Sequence, residues 1–517
     1  MFLKSGTLTL KDLRDFAANT AKIELAPQDR AKMAHTRKIV DGRIAKGIAT
    51  YGINTGFGTL SGHLISATDL DDLQRRLILS NAAGTGEPMR IGDVRRMMLL
   101  KVAALATGRS GVRPELADAL LALINHGITP FVPCKGSVGA SGDLAPLAHM
   151  AAALIGTGDV FHQGRIVPAM AALEAAGLQP FVLKAKEGLA LVNGTQASTS
   201  LAVTGLFMTE DILASALIAG ALSVEAALGQ DMAFDARLHE ARGQPGQIAV
   251  AAYLRALLAG SGIRSHAHAQ GRLQDPYCLR CQPQVMGACV DQLRHSARVL
   301  ENEINAWTDN PLVDAESGDI LYGGNFHAEP VGMAADAIAV ALAEIGAMSE
   351  RRIAMLTDAQ HSKLPAFLVK ETGLDSGFMV AQVTAAALAS ENKSLAHPAT
   401  VDSIPTTANH EDFVSMATFA ARRLADMADN VAAIIAIELL AACQGIEFRR
   451  PTRSSPLLEE IHARIRRHVP AYEQDRFFAP DIAAAKELIL SGTFPGALPS
   501  DLALTSPHHP NQSGGNT

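Results

Sequence analysis

Aromatic residues make up only 4% of this 517-residue chain, with a single tryptophan, so its interior cannot be built around large rings. An aliphatic, alanine-rich core is expected instead, and that composition favours close-packed helices. Cysteine is scarce and odd in number, five in all, which argues against a disulfide-stapled fold. The opening Met1-Phe-Leu-Lys-Ser-Gly-Thr-Leu-Thr-Leu-Lys11 has no charged region followed by a long apolar stretch, so no signal peptide is read. Reduced thiols and a cytoplasmic location are the expectation. No large excess of one charge is present either. The formal net charge is −7 and the basic residues are scattered, which excludes nucleic acid and anionic membranes as main partners. The longest membrane-like run, Val431 to Cys443, is interrupted by Glu438 and too short to span a bilayer. Cys278-Leu-Arg-Cys281, with Cys289 beyond, lacks a second Cys or His pair at zinc spacing, so no metal is expected.

What is present is an ordinary globular composition, 48% hydrophobic and 19% charged, in a chain too long for one hydrophobic core. Residues 1–195 read as a mixed, glycine-punctuated N-terminal domain, with strand-like pieces at Thr7–Leu10 and Ile128–Val132. Residues 196–505 read as a bundle of long helices, with Ala/Leu/Ile segments at 208–228, 285–307, 333–358, 378–396 and 412–443. Val290, Leu293, Ala297, Leu300, Ile304 and Trp307 recur at alternating steps of three and four, a seam that predicts lengthwise helix packing. Residues 506–517 are polar and are expected to form a disordered tail.

The string Gly136-Ser-Val-Gly-Ala-Ser-Gly-Asp-Leu-Ala-Pro146 carries the chemistry. Its triplet Ala140-Ser141-Gly142 can make an electrophile from backbone alone. Attack of the Gly142 nitrogen on the Ala140 carbonyl, with loss of water, leaves Ser141 as the exocyclic methylidene of a 4-methylidene-imidazol-5-one. A glycine nitrogen is the least hindered nucleophile, and flanking glycines permit the cramped geometry. The bland alternative is a glycine-rich loop with Asp143 capping the next helix. A serine nucleophile elbow is excluded, because Asp143 stands where Gly is needed. A dinucleotide fingerprint is excluded because Gly136, Gly139 and Gly142 are spaced by three.

Other strings place polar groups where a structural sequence has no need of them. Tyr51-Gly-Ile-Asn-Thr-Gly-Phe-Gly58 sets a phenol in a glycine-rich loop, and Asn193 ends an apolar run. Gln274, Tyr277 and Arg280 fall within seven residues. Phe326 lies in Gly323-Gly-Asn-Phe-His-Ala-Glu-Pro330, and Glu411 in Thr406-Thr-Ala-Asn-His-Glu-Asp-Phe-Val-Ser-Met416. Taken in order, these strings resemble the methylidene-imidazolone-dependent aromatic amino acid ammonia-lyase family, from about residue 5 to 500, and its histidine branch in particular.

That resemblance implies a mainly α-helical homotetramer whose sites are shared between subunits and whose substrate is a small amino acid. The implied reaction is L-histidine to trans-urocanate and ammonia. Alternatives left open are a lyase acting on tyrosine, another aromatic amino acid or a modified histidine, a 2,3-aminomutase, and a scaffold that kept the fold without the chemistry. Tyr51 resembles the base that takes the β-proton, a role in which a nearby donor or positive group must favour the phenolate. Arg280 resembles the bidentate clamp on the substrate carboxylate. Asn193 and Gln274 resemble donors to the cofactor or carboxylate, and Tyr277 a second phenol beside the cofactor. Phe326 walls the pocket, Glu411 faces the imidazole or amine, and Met379 follows the histidine branch. The match also breaks. The branch usually carries His where this chain has Asn81, Gln where it has His410, and His where it has Phe413. Asn81 offers both a donor and an acceptor to a substrate ring, and one explanation of the pattern is that His410 partly replaces the missing imidazole, which requires both side chains to reach the same ring.

Overall fold

Apolar residues at helical spacing fold most of the chain into helices joined by short irregular segments. The structure, a computed structural model, describes residues 2–18, 22–58, 62–269, 273–492, 499 and 501–504. The polar tail at 506–517 lies outside the described residues. A single cut near residue 195 is not how the contacts divide the chain. Two compact units emerge, one of Met1–Thr204, Ala297–Asp336 and Pro398–Arg422, the other of Gly205–Ser296, Ala337–His397 and Arg423–Thr517. The two later stretches join the first unit because they pair with its loops, as described below.

The first unit is organised around the helix Ile91–Ala106, whose Val94, Met97, Met98, Val102 and Ala106 are wholly buried. Among the described residues every strand belongs to this unit, and each is short. Thr85–Pro88 pairs antiparallel with Pro133–Lys135, and Thr129–Pro130 joins a three-stranded sheet with Asp159–His162 and Arg165–Pro168. Leu312–Val313 pairs with Ile320–Leu321. The strand expected at Thr7–Leu10 is instead a helix start, because its threonine caps a helix. The Thr9 backbone N–H and hydroxyl both donate to Asp12, and the Asp12 N–H donates back to Thr9 Oγ1 at 3.1 Å. That reciprocal pair satisfies donors the first turn of Leu10–Ala18 leaves open.

Among its described residues the second unit has helices and connecting segments but no strand. Met379–Leu395 and Leu424–Glu447 pack together, the latter buried almost continuously from Val431 to Ile446. Of the seam residues, Val290, Leu293, Ala297 and Leu300 are buried within the helix Gln282–Glu303. Trp307 falls past its end, 44% exposed, with the Arg109 guanidinium 4.5 Å over its ring. Among the described residues two helices, Gln196–Ala226 and Glu329–Thr357, are long and apolar enough by composition to cross a membrane. In Gln196–Ala226 the apolar window is 89% buried inside the protein, as in a core helix.

Candidate active site

The strand pair Thr85–Pro88/Pro133–Lys135 fixes the start of the glycine-rich loop, which ends at the helix Leu144–Leu154. Gly139 and Gly142 both have positive φ, +66° and +76°. Space makes the stronger demand. A Cβ at Gly142 would lie 2.2 Å from the Gly194 carbonyl oxygen, and one at Gly139 would lie 2.3 Å from Ser415 Oγ. Two backbones meet at Gly142, so only glycine serves. The loop is held from several sides. Met416 N donates to Val138 O at 2.9 Å, Ala328 N to Gly139 O at 3.0 Å, and Asp143 N to Gly194 O at 2.8 Å. Residues 297–336 and 398–422 therefore belong with this unit.

Asp143 occupies the N-cap position of Leu144–Leu154 but makes no capping bond. Its fully buried carboxylate accepts from Ser137 Oγ (3.0 Å), Thr418 Oγ1 (2.7 Å), Ser198 N (2.7 Å) and Ser198 Oγ (2.9 Å). The carboxylate ties two other chain segments, those of Ser198 and Thr418, to the loop, a role invisible from its place beside a helix. Ser141 Oγ donates to the Glu411 carboxylate, whose other oxygen accepts from Thr406 Oγ1 at 2.6 Å. Glu411 follows a strained turn in which Thr407, Ala408 and Asn409 all take left-handed φ, from +51° to +65°. Consecutive non-glycine residues rarely adopt that conformation, and such strain persists where the surroundings over-determine it.

Above the triplet lies a cavity of about 630 Å³, within the range of small-ligand pockets. Of the residues singled out in the sequence, Tyr51, Asn81, Ala140, Ser141, Asn193, Phe326, His410 and Glu411 line it. Leu77, Leu144, Leu189 and Val192 supply apolar wall. The Tyr51 hydroxyl accepts from Gly58 N at 3.4 Å. Asn81 Nδ2 donates to Leu77 O at 2.8 Å, an acceptor only the amide nitrogen can meet, so Oδ1 is the atom left for other partners. Asn193 behaves alike: Nδ2 donates to Asn310 O at 2.9 Å, and the buried Oδ1 has no partner. A cyclised triplet fits this setting, since the Gly142–Gly194 contact leaves no room for a side chain and Asn193 keeps a buried polar atom unsatisfied beside it.

Gln274, Tyr277, Arg280 and Met379 belong to the second unit. Gln274 is exposed, Tyr277 is 69% exposed and Met379 is 40% exposed. The Arg280 guanidinium stacks 4.7 Å over the Tyr277 ring. All five cysteines are free thiols, and burial pushes that of Cys278 up. No cluster of three or more metal-ligating side chains occurs among the described residues.

The sequence reading missed several cavity residues. Tyr322, immediately before Gly323-Gly-Asn-Phe326, sets its ring 6.3 Å from that of Tyr51 in an edge-on arrangement. Phe413, noted only as a departure, stacks on His327, whose Nε2 meets the Phe413 carbonyl at 3.1 Å. Behind the cavity Lys186, wholly buried, pairs with Asp309 at 2.6 Å. Lys101, 1% exposed, donates to Asn193 O at 2.6 Å and Ala190 O at 3.1 Å. Burial pushes the Lys101 ammonium down to about 7, and Lys186 in the same direction. The visible signal was one lysine inside the apolar run Met97-Met-Leu-Leu-Lys-Val-Ala103, with no acidic residue three or four positions away.

The chain matches the family model described as aromatic amino acid lyase over residues 8–467. It is 58% identical to the histidine ammonia-lyase of Aromatoleum aromaticum over 492 residues, 95% of this chain and 94% of that one. The crystal structure of histidine ammonia-lyase from Trypanosoma cruzi superposes with a TM-score of 0.89 at 37% identity, covering 97% of this chain and 96% of the other. Tyrosine aminomutase from Streptomyces globisporus superposes with a TM-score of 0.90 at 35% identity, covering 95% and 97%.

Proposed function

The chain belongs to the aromatic amino acid lyase family, and from that premise we propose that it converts L-histidine to trans-urocanate and ammonia with a 4-methylidene-imidazol-5-one formed from Ala140, Ser141 and Gly142. It is a carbon–nitrogen lyase. The observation that carries the reading is Ser141 on the wall of a ligand-sized cavity, bonded to Glu411 and backed by the side-chain-free contact of Gly142 with Gly194. Once formed, the group supplies an electrophilic methylidene carbon that makes the substrate amine a better leaving group.

The chain's own residues do the rest. Tyr51 removes the β-proton, with the Gly58 N–H donating to its oxygen. Glu411 faces the substrate imidazole or amine across the cavity and holds a proton there. Asn193 Oδ1 accepts from the substrate amine, which meets the atom's unfilled hydrogen-bonding need. Asn81 Oδ1 accepts an imidazole N–H, and Phe326 closes the wall. Tyr277, Arg280, Gln274 and Met379 are exposed or half-exposed on the second unit and complete the site of another copy in a homotetramer. Arg280 grips the substrate carboxylate there, its guanidinium pre-oriented by stacking on Tyr277. Free thiols throughout suit a cytoplasmic enzyme.

A second reading, a lyase or aminomutase for a different ring, is favoured by Asn81, His410 and Phe413 all lining the same cavity. The test is ammonia release over a panel of L-histidine, methylated histidines, tyrosine and phenylalanine, with every product identified by mass. Histidine turning over best to urocanate supports the first reading. A β-amino acid product, or inert histidine beside another active substrate, supports the second.

A further inference from the structure

The peptide that backs the triplet is itself held from behind. Gly194 forms a parallel bridge with Gly142, and its carbonyl accepts from Asp143 N, so the placement of residues 193–194 dictates the placement of residues 142–143. Asn193 ends the helix Glu187–Val192, where carbonyls lack intrahelical donors. Lys101 reaches into that end from Ile91–Ala106 and donates to the carbonyls of Ala190 and Asn193. We propose that Lys101 is the positioning residue that holds the Asn193–Gly194 peptide against Ala140–Gly142 and so sets the geometry in which the triplet cyclises. The proposal rests on the ammonia-lyase reading above.

Apolar packing alone gives no reason for a lysine here. Its neighbours along the helix are wholly buried methionines and aliphatics, and an ammonium removed from water is costly unless well paired. Among the described residues no carboxylate lies within ion-pair distance of it, although Asp309 and Asp143 favour its charge from farther off and Lys186 opposes it, and its acceptors are two backbone carbonyls. A methionine would fill the same volume without a charge but would take from both carbonyls the donor they now share. What methionine lacks is a donor that can gather two carbonyls at one point. Ring closure needs such a fixed template. The Gly142 N bonds to the Ala140 carbonyl carbon, the Ala140 oxygen leaves as water with the hydrogens of Gly142 N and Ser141 N, and the Ser141 hydroxyl leaves as a second water with the Ser141 α-hydrogen. No oxidant or second reactant takes part. Intramolecular attack of this kind is steeply sensitive to placement on the ångström scale.

The test is the intact mass of purified wild-type, K101M and K101Q full-length chains, each checked for thermal unfolding. The wild-type chain is expected to be lighter than its sequence mass by about 36 Da, two waters. Folded K101M is expected to show at least a tenfold fall in the dehydrated fraction, with residual activity tracking that fraction and KM unchanged. K101Q, which keeps an uncharged N–H donor, should recover part of it. A folded K101M that is fully dehydrated overturns the proposal, whatever its kcat. If K101M does not fold, complete dehydration of K101Q overturns it and partial dehydration supports it. A wild-type chain at its full sequence mass would instead overturn the cofactor reading itself.

Discussion

In the second unit the Arg352 guanidinium and the Glu438 carboxylate are fully buried and close on each other. Glu438 accepts from Arg352 Nε at 2.5 Å and Nη2 at 2.9 Å, and from Ser223 and Ser349 at 2.7 and 2.6 Å. In the first unit Lys101 is buried as deeply but spends its donors on backbone, at the very peptide that touches the chemical triplet. One arrangement locks helices to helices, with only Arg352 Nη1 left without a partner. The other places charge behind the loop that carries Ala140, Ser141 and Gly142. Buried charge thus takes two forms in one chain, distinguished by whether its partners are side chains on helices or backbone carbonyls beside a glycine-rich loop.

The comparison is broken most severely at the triplet. Ser141→Ala should lower ammonia release by roughly 10³-fold or more while leaving thermal unfolding unchanged, because it removes the electrophile and little packing. Persistent activity would detach the chemistry from the first unit's loop. Tyr51→Phe comes next, with kcat down by about 10²–10⁴-fold and KM moved far less, as steady-state kinetics on histidine would report. In the second unit the expected damage is to stability. Glu438→Leu leaves Arg352 buried alone and should cost about 3–5 kcal/mol in urea unfolding, most of it regained by adding Arg352→Met. A neutral Glu438→Leu would mean the pair is not the closed unit it looks. Asn81→Leu should reduce kcat/KM for histidine about tenfold, with little change for phenylalanine, since one acceptor is lost and an apolar wall gained.

The last effect is a pH dependence. Lys101 titrates at about 7 in the folded chain and at the ordinary lysine value of 10.5 once exposed. Between those values the unfolded state binds the extra proton, so this residue's contribution to stability rises as pH climbs through that window, and below it burial of the charge is a net cost. Unfolding free energy should therefore increase less from pH 7 to pH 9 in K101M than in the wild type. An identical increase would mean that Lys101 keeps its proton in the fold.

The long helices were legible because their signal is local and repeated. Val290, Leu293, Ala297 and Leu300 are buried as their spacing requires. Thr7–Leu10 misled because alternating threonine and leucine suit a strand, while the deciding fact was Asp12 reaching back to Thr9. At the site, the triplet could be read because its reactive atoms are neighbours in the chain. Asp143 and Tyr322 could not, because the partners that give them a role are distant in sequence. Lys101 and Asn193 stand 92 positions apart.

From sequence alone came the helical class, the electrophile that Ala140, Ser141 and Gly142 can form, and the residue types expected to surround it, since each depends on covalent neighbours or on periodicity. Only the tertiary structure decided which of those residues share one cavity. It also decided that Asn81 and Asn193 are each anchored through the amide nitrogen, with the oxygen left open, and that the first unit gathers 297–336 and 398–422 around its loop. The physical reason is that a hydrogen bond spends a donor on whichever acceptor folding brings near, and no string of residues records that choice in advance.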